Sequence, residues 1–467
     1  MNVIETDICV IGAGSGGLSV AAGAVQMGAR VVLIEGHKMG GDCLNYGCVP
    51  SKALLSAARA AKAAGPVEAE AARTRYAAAQ AHVRATIAAI EPHDSQERFE
   101  GLGVQVIRDY ARFTGPDSVE AGGQTIRARR FVVATGSSPV VPDISGLDRV
   151  PHLTNETLFD MPDLPGHLLV MGGGPIGLEM ALAHRRLGAQ VTVIEGAQAL
   201  GREDAQAAAV VLAQLRAEGI EIIEGAQVER VSGRTGAIEV QVTGGTVFHG
   251  THLLVAVGRR PSIDRLDLKA AGIRHTADGI TVGDDLRSTN RRVYAIGDVA
   301  GRGQFTHLAG YHAGIIIRAA VLGLPAKARA DHIPRVTYTD PELAQVGPTE
   351  AEARRKFGAR LQVLRVDMAQ IDRAQAEGWT EGFLKLMVVS GRPIGATIVG
   401  AQAGELIAPL CLAISARMKL SALAGTVLPY PTLAEIGKRG AGAYFSPKLF
   451  DNPFVKRMVR LVQRVMP

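Results

Sequence analysis

Cys9-Val10-Ile11-Gly12-Ala13-Gly14-Ser15-Gly16-Gly17 returns later in the chain as Leu169-Val170-Met171-Gly172-Gly173-Gly174-Pro175-Ile176-Gly177. Each copy reads as an apolar strand, a GxGxxG turn and the start of a helix. Each then runs through Gly-Ala (Gly28-Ala29, Gly188-Ala189) into a second strand that ends in an acid: Val31-Val32-Leu33-Ile34-Glu35 and Val191-Thr192-Val193-Ile194-Glu195. One such turn is a weak signal. Two copies, each with its strand, helix and acid at matching distance, predict two dinucleotide-binding βαβ units. The glycines let the backbone approach a pyrophosphate at the helix N-terminus, where free N–H groups and the dipole favour an anion. The closing Glu accepts from a ribose diol.

Between the turns and the rest of the first unit lies Gly40-Gly41-Asp42-Cys43-Leu44-Asn45-Tyr46-Gly47-Cys48-Val49-Pro50-Ser51-Lys52. Its two cysteines stand five positions apart, just ahead of a Pro read as the first helical residue. A thiolate at a helix N-terminus has a depressed pKa and is competent for exchange, and Lys52 adds positive charge one turn in. The pair therefore reads as a redox couple fed by a bound dinucleotide. Cys9 and Cys411 fall inside a strand and a helix pattern and read as buried thiols. No second pair or His cluster stands near Cys43 and Cys48, which argues against zinc.

The bulk composition narrows the class. The 467 residues are 47% hydrophobic and 21% charged, which fits several domains with a large core. The net charge of +6 is scattered among acids and is not a nucleic-acid footprint. No secretory signal and no membrane-length apolar run is read, and one thiol pair without a disulfide framework fits the cytoplasm. Residues 53–91 are Ala-rich and helical in pattern. Phe131-Val132-Val133-Ala134-Thr135-Gly136 and Leu253-Leu254-Val255-Ala256-Val257-Gly258 read as strands that close the two units. Val293-Tyr294-Ala295-Ile296 leads to Gly297-Asp298, and a separate α+β pattern starts near Ile333.

From Asp7 to about Phe445 these motifs resemble the class I pyridine nucleotide-disulfide oxidoreductases, of the dihydrolipoamide dehydrogenase, glutathione reductase and mercuric reductase type. The resemblance implies an α/β fold: two Rossmann-like dinucleotide-binding domains plus a C-terminal α+β dimerisation domain. The expected ranges are 1–148 with 271–332 for FAD, 149–270 for NAD(P)H, 333–445 for dimerisation and 446–467 for a basic amphipathic tail. It implies a homodimer whose active sites are each completed by the partner. Gly12, Gly14, Gly17, Glu35, Gly41, Thr135, Gly136 and Asp298 would hold FAD, with Lys52 near its N5 and paired with Glu179. Gly172, Gly174, Gly177, Glu195 and Gly258 would hold the nicotinamide nucleotide. Cys48 would face the flavin and Cys43 would meet the acceptor.

Glu195 stands where a 2′-phosphate would meet like charge, so NADH is expected over NADPH. Pro175 fills the place of a gating Tyr in some relatives. Near the end of the chain, Leu428-Pro429-Tyr430-Pro431-Thr432-Leu433-Ala434-Glu435 matches a run in which relatives that reduce disulfides carry an acid/base His. Tyr430 stands at that His position and Glu435 keeps the orienting acid. A His titrates near pH 6.5 and a Tyr near about 10, so only about one phenol in a thousand ionises at neutral pH. The expected activity is FAD-dependent NAD(P)H:disulfide oxidoreduction, dihydrolipoamide dehydrogenase-like, with a small disulfide or dithiol or a protein-bound lipoyl group as acceptor. Tyr430 puts efficient dithiol turnover in question. One alternative is a mercuric reductase-like soft-metal reductase, although Arg464-Val465-Met466-Pro467 lacks the C-terminal cysteine pair of those enzymes. Another is a flavin-binding partner protein with incidental reductase activity. His307 and His312 are two further candidate proton carriers.

Asn452-Pro453 opens a final helical run with basic residues Lys456, Arg457, Arg460 and Arg464 and no acid. It reads either as a helix packed on the dimer or as a basic amphipathic helix that touches an anionic membrane or a partner protein.

Overall fold

In the computed structural model, residues 3–466 are described. Met1, Asn2 and Pro467, which the expected ranges 1–148 and 446–467 include, lie outside the described residues. The chain divides into two compact units, residues 1–197 with 220–329, and residues 198–219 with 330–467.

The first unit contains both βαβ repeats. Strand β1 (Val3–Ile11) leads through the glycine turn into helix α1 (Ser15–Gln26) and on to β2 (Val31–Ile34). Beyond helix α2 (Cys48–Ala63) and a long helix Ala69–Asp94 come β3 (Gln105–Ile107), β4 (Arg112–Gly115), β5 (Ser118–Ala121) and β6 (Gln124–Val133). The sheet order is β3-β2-β1-β6-β5-β4. β1 pairs parallel with β2 on one side and with β6 on the other. The C-terminal end of β1 is therefore a topological switch point, where α/β sheets open a ligand crevice. The second repeat rebuilds it with β7 (His167–Met171), α3 (Pro175–Leu187), β8 (Gln190–Glu195), β9 (Glu221–Glu224) and β10 (His252–Val255). These strands pair parallel in the order β9-β8-β7-β10. β11 (Val293–Ala295) joins the first sheet beside β6 and delivers Gly297-Asp298 to its C-terminal edge.

The repeat extends to single hydrogen bonds. Gly12 N–H donates to Ile34 O at 2.8 Å, and Gly172 N–H to Ile194 O at 2.9 Å. Ala134 N–H reaches Ile11 O and Ala256 N–H reaches Met171 O, both at 2.8 Å. Gly12 and Gly172 take φ of +104° and +111°, which only glycine adopts freely. A Cβ on either would stand 2.5 Å from a carbonyl oxygen, Ala134 O or Ala256 O. The cores behind the two turns are continuous strand-and-helix clusters built from Val10, Leu33, Val132 and Ile296, and from Leu169, Met171, Ile194 and Leu253. The Ala-rich stretch is helical but broken at residues 64–68, so α2 and the helix Ala69–Asp94 are separate elements.

The second unit is an antiparallel sheet of β12 (Pro334–Thr337), β13 (Glu342–Val346), β14 (Leu361–Asp367), β15 (Phe383–Val389) and β16 (Arg392–Gly400), ordered β12-β13-β16-β15-β14. Helix α5 (Glu435–Ala443) contributes Ile436 and Ala441 to its core. Residues 198–219, placed by the expected ranges with the NAD(P)H domain, group with this unit. An ion-paired cluster explains why. Lys385 on β15 is buried and meets both oxygens of Asp204 at 3.0 Å and Glu350 at 2.8 Å. Asp204 also caps the helix Ala205–Ala217 by accepting from Gln206 and Ala207 N–H. Cys411 is half-buried rather than buried, packed at the edge of this core.

Asp204→Ala removes a helix cap and one partner of a buried ammonium. It should lower unfolding free energy by about 3 kcal/mol, read from urea denaturation of the FAD-loaded protein.

Candidate active site

The thiol pair is carried by two consecutive helix starts. A short helix, Gly41–Asn45, holds Cys43, and its loop is tied by Asn45 Nδ2 donating to Met39 O at 3.0 Å and Gly41 O at 2.8 Å. α2 begins at Cys48 itself, with Gly47 as cap. Pro50 is therefore the third helical residue, not the first. The shift places the Cys48 sulfur within the first turn, where the helix dipole acts most strongly. All four cysteines are free thiols.

Cys48 Sγ lies 3.3 Å from Thr306 Oγ1, at the start of helix α4 (Thr306–Ile316). Its pKa is lowered to about 6, first by the hydrogen bond from Cys43, then by Thr306 and the Lys52 charge, against the cost of burial. Cys43 moves the opposite way: it donates to Cys48, and burial further disfavours its charged form. The shifts favour the charge on Cys48 and the proton on Cys43. Lys52 Nζ meets Glu179 Oε2 at 2.7 Å, and Glu179, on α3 of the second repeat, is 5% exposed. The expected pair across the two repeats is present as a contact.

A second network reaches the same loop. Arg259 donates to Asp42 Oδ1 at 2.9 Å, and to Ser137 Oγ and Ser137 O at 2.8 Å each. Ser137 Oγ donates to Asp298 Oδ2 at 2.6 Å. Burial raises the Asp298 pKa, opposed by the Ser137 bond and the Arg259 charge. Asn155 Nδ2 donates to Asp42 Oδ1 at 3.0 Å and to Tyr46 O at 3.2 Å. The residue next to Cys43 is thereby tied to Asp298. Asp42, Asn155, Ser137, Arg259 and Thr306 carry no motif of their own. Only Asp42, inside the cysteine run, stood where a reading of spacing could find it.

The dinucleotide crevices have the same inner wiring. Glu35 Oε2 accepts from Ala13 N–H at 2.6 Å and Oε1 from His37 N–H at 2.7 Å. Glu195 accepts from Gly173 N–H at 2.7 Å and from Ala197 N–H at 2.8 Å. Each acid is held at the mouth of its own turn. A dinucleotide fits this frame: a Cβ on Gly174 would project into open space, and on Gly14 its nearest neighbour would be Gly41 Cα at 4.0 Å. Gly136 takes φ of +67°, and Thr135 Oγ1 is committed to Ser262 O at 2.7 Å. Gly258, at φ of +138°, follows β10 at the matching edge of the second crevice.

His312 is buried, and its Nδ1 accepts from Gly297 N–H at 3.2 Å; burial lowers its pKa to about 4. It holds the Asp298 turn and is neutral at pH 7. His307 is exposed and stacked on Phe305.

In the second unit, Tyr430 is 69% exposed and its hydroxyl donates to Asp372 Oδ2 at 2.8 Å. That bond and the Asp372 charge push the phenol above its ordinary range. Arg439 reaches the other Asp372 oxygen at 3.3 Å. Glu435 opens α5 but does not accept from Tyr430. Its Oε2 is buried without a hydrogen-bond partner among the described residues. Tyr430 thus pairs with an acid absent from the sequence reading, and Glu435 is left with an unmet acceptor.

Residues 6–313 match the pyridine nucleotide-disulphide oxidoreductase family, and residues 333–440 match its dimerisation domain. The chain belongs to the pyridine nucleotide-disulphide oxidoreductases. Its relatives within this family include a mercuric reductase of Acidithiobacillus ferrooxidans, 36% identical over 92% of this chain and 81% of that protein. A dihydrolipoyl dehydrogenase of Geobacillus stearothermophilus is 33% identical over 94% of this chain and 96% of that protein. Among solved structures, the Cu(II) complex of the HOCl-induced flavoprotein disulfide reductase RclA from Escherichia coli superposes with a TM-score of 0.83. It is 29% identical, covering 93% of this chain and 99% of that one. The oxidoreductase is therefore an FAD-dependent enzyme that uses a pyridine nucleotide, and its dimerisation domain supports a homodimer. Among the described residues no helix is long and apolar enough to cross a membrane.

Replacing Thr306 by Val removes a donor to Cys48. The thiolate absorbance of the reduced enzyme should titrate near pH 6 in the parent and at higher pH in the variant. An unchanged midpoint would show that Thr306 does not stabilise the thiolate.

Proposed function

We propose that this oxidoreductase is an NADH-dependent reductase that delivers electrons through Cys48 and Cys43 to a soft, thiol-seeking metal ion. The observation that carries the reading is Tyr430. It stands where a dithiol enzyme needs a titrating acid/base, and its phenol is held protonated by Asp372. A metal ion needs no proton carrier to be reduced; it needs thiolates to bind it. The names of the relatives lean the same way, since several are mercuric reductases and one solved neighbour carries Cu(II).

FAD, when bound, supplies the route by which an electron pair from the nicotinamide reaches the sulfur pair. Gly12, Gly14, Gly17, Glu35, Gly41, Gly136 and Asp298 would hold it, and Thr135 would shape the turn through its bond to Ser262. Gly172, Gly174, Gly177, Glu195 and Gly258 would hold the nucleotide. Lys52, fixed by Glu179, keeps a positive charge beside the Cys48 thiolate. Cys43, half-buried beside an exposed Cys48, would be the thiol that meets the acceptor and would release its proton as its sulfur bonds a metal ion or an acceptor sulfur. Glu435 stays as a buried acceptor near the end of the chain. A single thiol pair without a disulfide framework fits a reducing compartment such as the cytoplasm.

A second reading keeps a specific support. The chain spans nearly all of the Geobacillus dihydrolipoyl dehydrogenase but 81% of the Acidithiobacillus mercuric reductase. A dithiol, small disulfide or lipoyl acceptor would then be used slowly for want of the His.

NADH-driven turnover with Hg(II), Cu(II), lipoamide and small disulfides separates these readings. The metal reading expects thiol-dependent metal reduction, lost in Cys43→Ser and Cys48→Ser, and weak lipoamide turnover. Tyr430→His should raise dihydrolipoamide oxidation by on the order of 10²-fold, as a positioned acid/base does. Lipoamide turnover faster than metal reduction in the parent would reverse the order of the readings. No turnover with any acceptor at full FAD occupancy would leave a flavin-binding partner protein.

NADH should be preferred to NADPH by about tenfold or more in kcat/KM, because the Glu195 charge opposes a 2′-phosphate. Glu195→Ser should narrow that ratio.

A further inference from the structure

The last described helix, α6 (Pro453–Val465), has no buried residue. Asn452 caps it by accepting from Phe454 N–H at 2.9 Å, and Pro453 occupies its first position. The helix is thus well begun, and none of its residues is buried among the described residues. At about 100° per residue, its apolar side chains occupy one arc of about 160°. Phe454, Met458, Leu461, Val462 and Val465 lie in this arc and are all exposed, Phe454 at 69% and Val465 at 73%. Lys456, Arg457, Arg460 and Arg464 fill the opposite side, and Lys456 and Arg457 flank the apolar arc at its two edges. The helix contains no acid. Leu449 and Phe450, just before it, are exposed as well.

An apolar stripe this wide ordinarily faces a core. Here Phe454, Met458, Leu461, Val462 and Val465 stay exposed among the described residues. Pairing with the same helix of a second copy would cover the apolar arc but leave the basic side, which faces away from that seam, with no acid to meet. The charge pattern instead fits an anionic plane. A helix with bulky apolar residues on one side and Lys/Arg at the edges lies in a bilayer interface, with its apolar side among the acyl chains and its cations level with the headgroups.

We propose that α6 is an interfacial helix that holds this enzyme on an anionic lipid surface. The arrangement adds a location to the reductase without a spanning segment. Nothing in it depends on the identity of the acceptor.

The test is co-sedimentation of the full-length, FAD-loaded enzyme with vesicles of phosphatidylcholine alone, or of phosphatidylcholine mixed with phosphatidylglycerol. The enzyme should pellet with the mixed vesicles and not with pure phosphatidylcholine, and high salt should weaken the binding. The double variant Leu461→Asp, Val465→Asp should stay in the supernatant while retaining FAD and NADH-driven activity. Arg457→Gln with Arg460→Gln should weaken binding roughly 30-fold, on the order of fivefold for each cation at the surface. The proposal fails if the parent does not pellet with anionic vesicles, or if the Asp variants pellet as well as the parent. It also fails if the Asp variants lose the dimer mass in light scattering while the parent ignores lipid, since the helix would then cover a second copy.

Discussion

Gly41 and Gly14 approach so closely that a Cβ on Gly41 would stand 2.7 Å from Gly14 Cα. Gly14 belongs to the first dinucleotide turn and Gly41 begins the helix that carries Cys43. Their backbones can approach because Gly41 has no side chain, and this contact sets the distance between a dinucleotide crevice and a thiol pair. Gly41 also holds φ of +60°, so steric room and backbone conformation make the same demand. The rest of the site is built outward from this contact: Cys43, then the cap at Gly47, then Cys48 on α2.

Most of the architecture was legible in the chain because its signals are local. Strand, glycine turn, helix and closing acid repeat at fixed spacing, and the backbone hydrogen bonds that close the two glycine turns match. What was not legible depends on which distant segments meet. Residues 198–219 read as part of the second repeat, yet the Lys385 ammonium draws Asp204 and its helix into the other unit. The start of α2 moved from Pro50 to Cys48 because a Pro is tolerated anywhere in the first turn, where its missing N–H costs nothing.

The site divides along the same line. Cys43, Cys48 and Lys52 sit within one short run and could be read from spacing alone. The contact of Lys52 with Glu179 spans the two repeats and was expected only from the family resemblance. Thr306, Arg259, Ser137 and Asn155 carry no pattern, because a hydrogen bond between remote loops leaves no periodicity in a sequence. The Asp372 partner of Tyr430 was invisible for the same reason, and it adds to the effect of losing the His. A free phenol titrates reluctantly; one donating to a carboxylate is held still further from neutrality.

Arg259 follows the last glycine of the second crevice, yet its guanidinium closes on the residue beside Cys43 and on the Ser137–Asp298 pair. Asn155 reaches the same Asp42 from the segment that leads into that repeat. The two halves of this duplicated architecture are therefore not interchangeable cassettes. A nicotinamide module transplanted from a relative would bring its own glycine turn and acid. Unless it also brought an arginine and an asparagine at these two places, it would leave the cysteine loop unlatched.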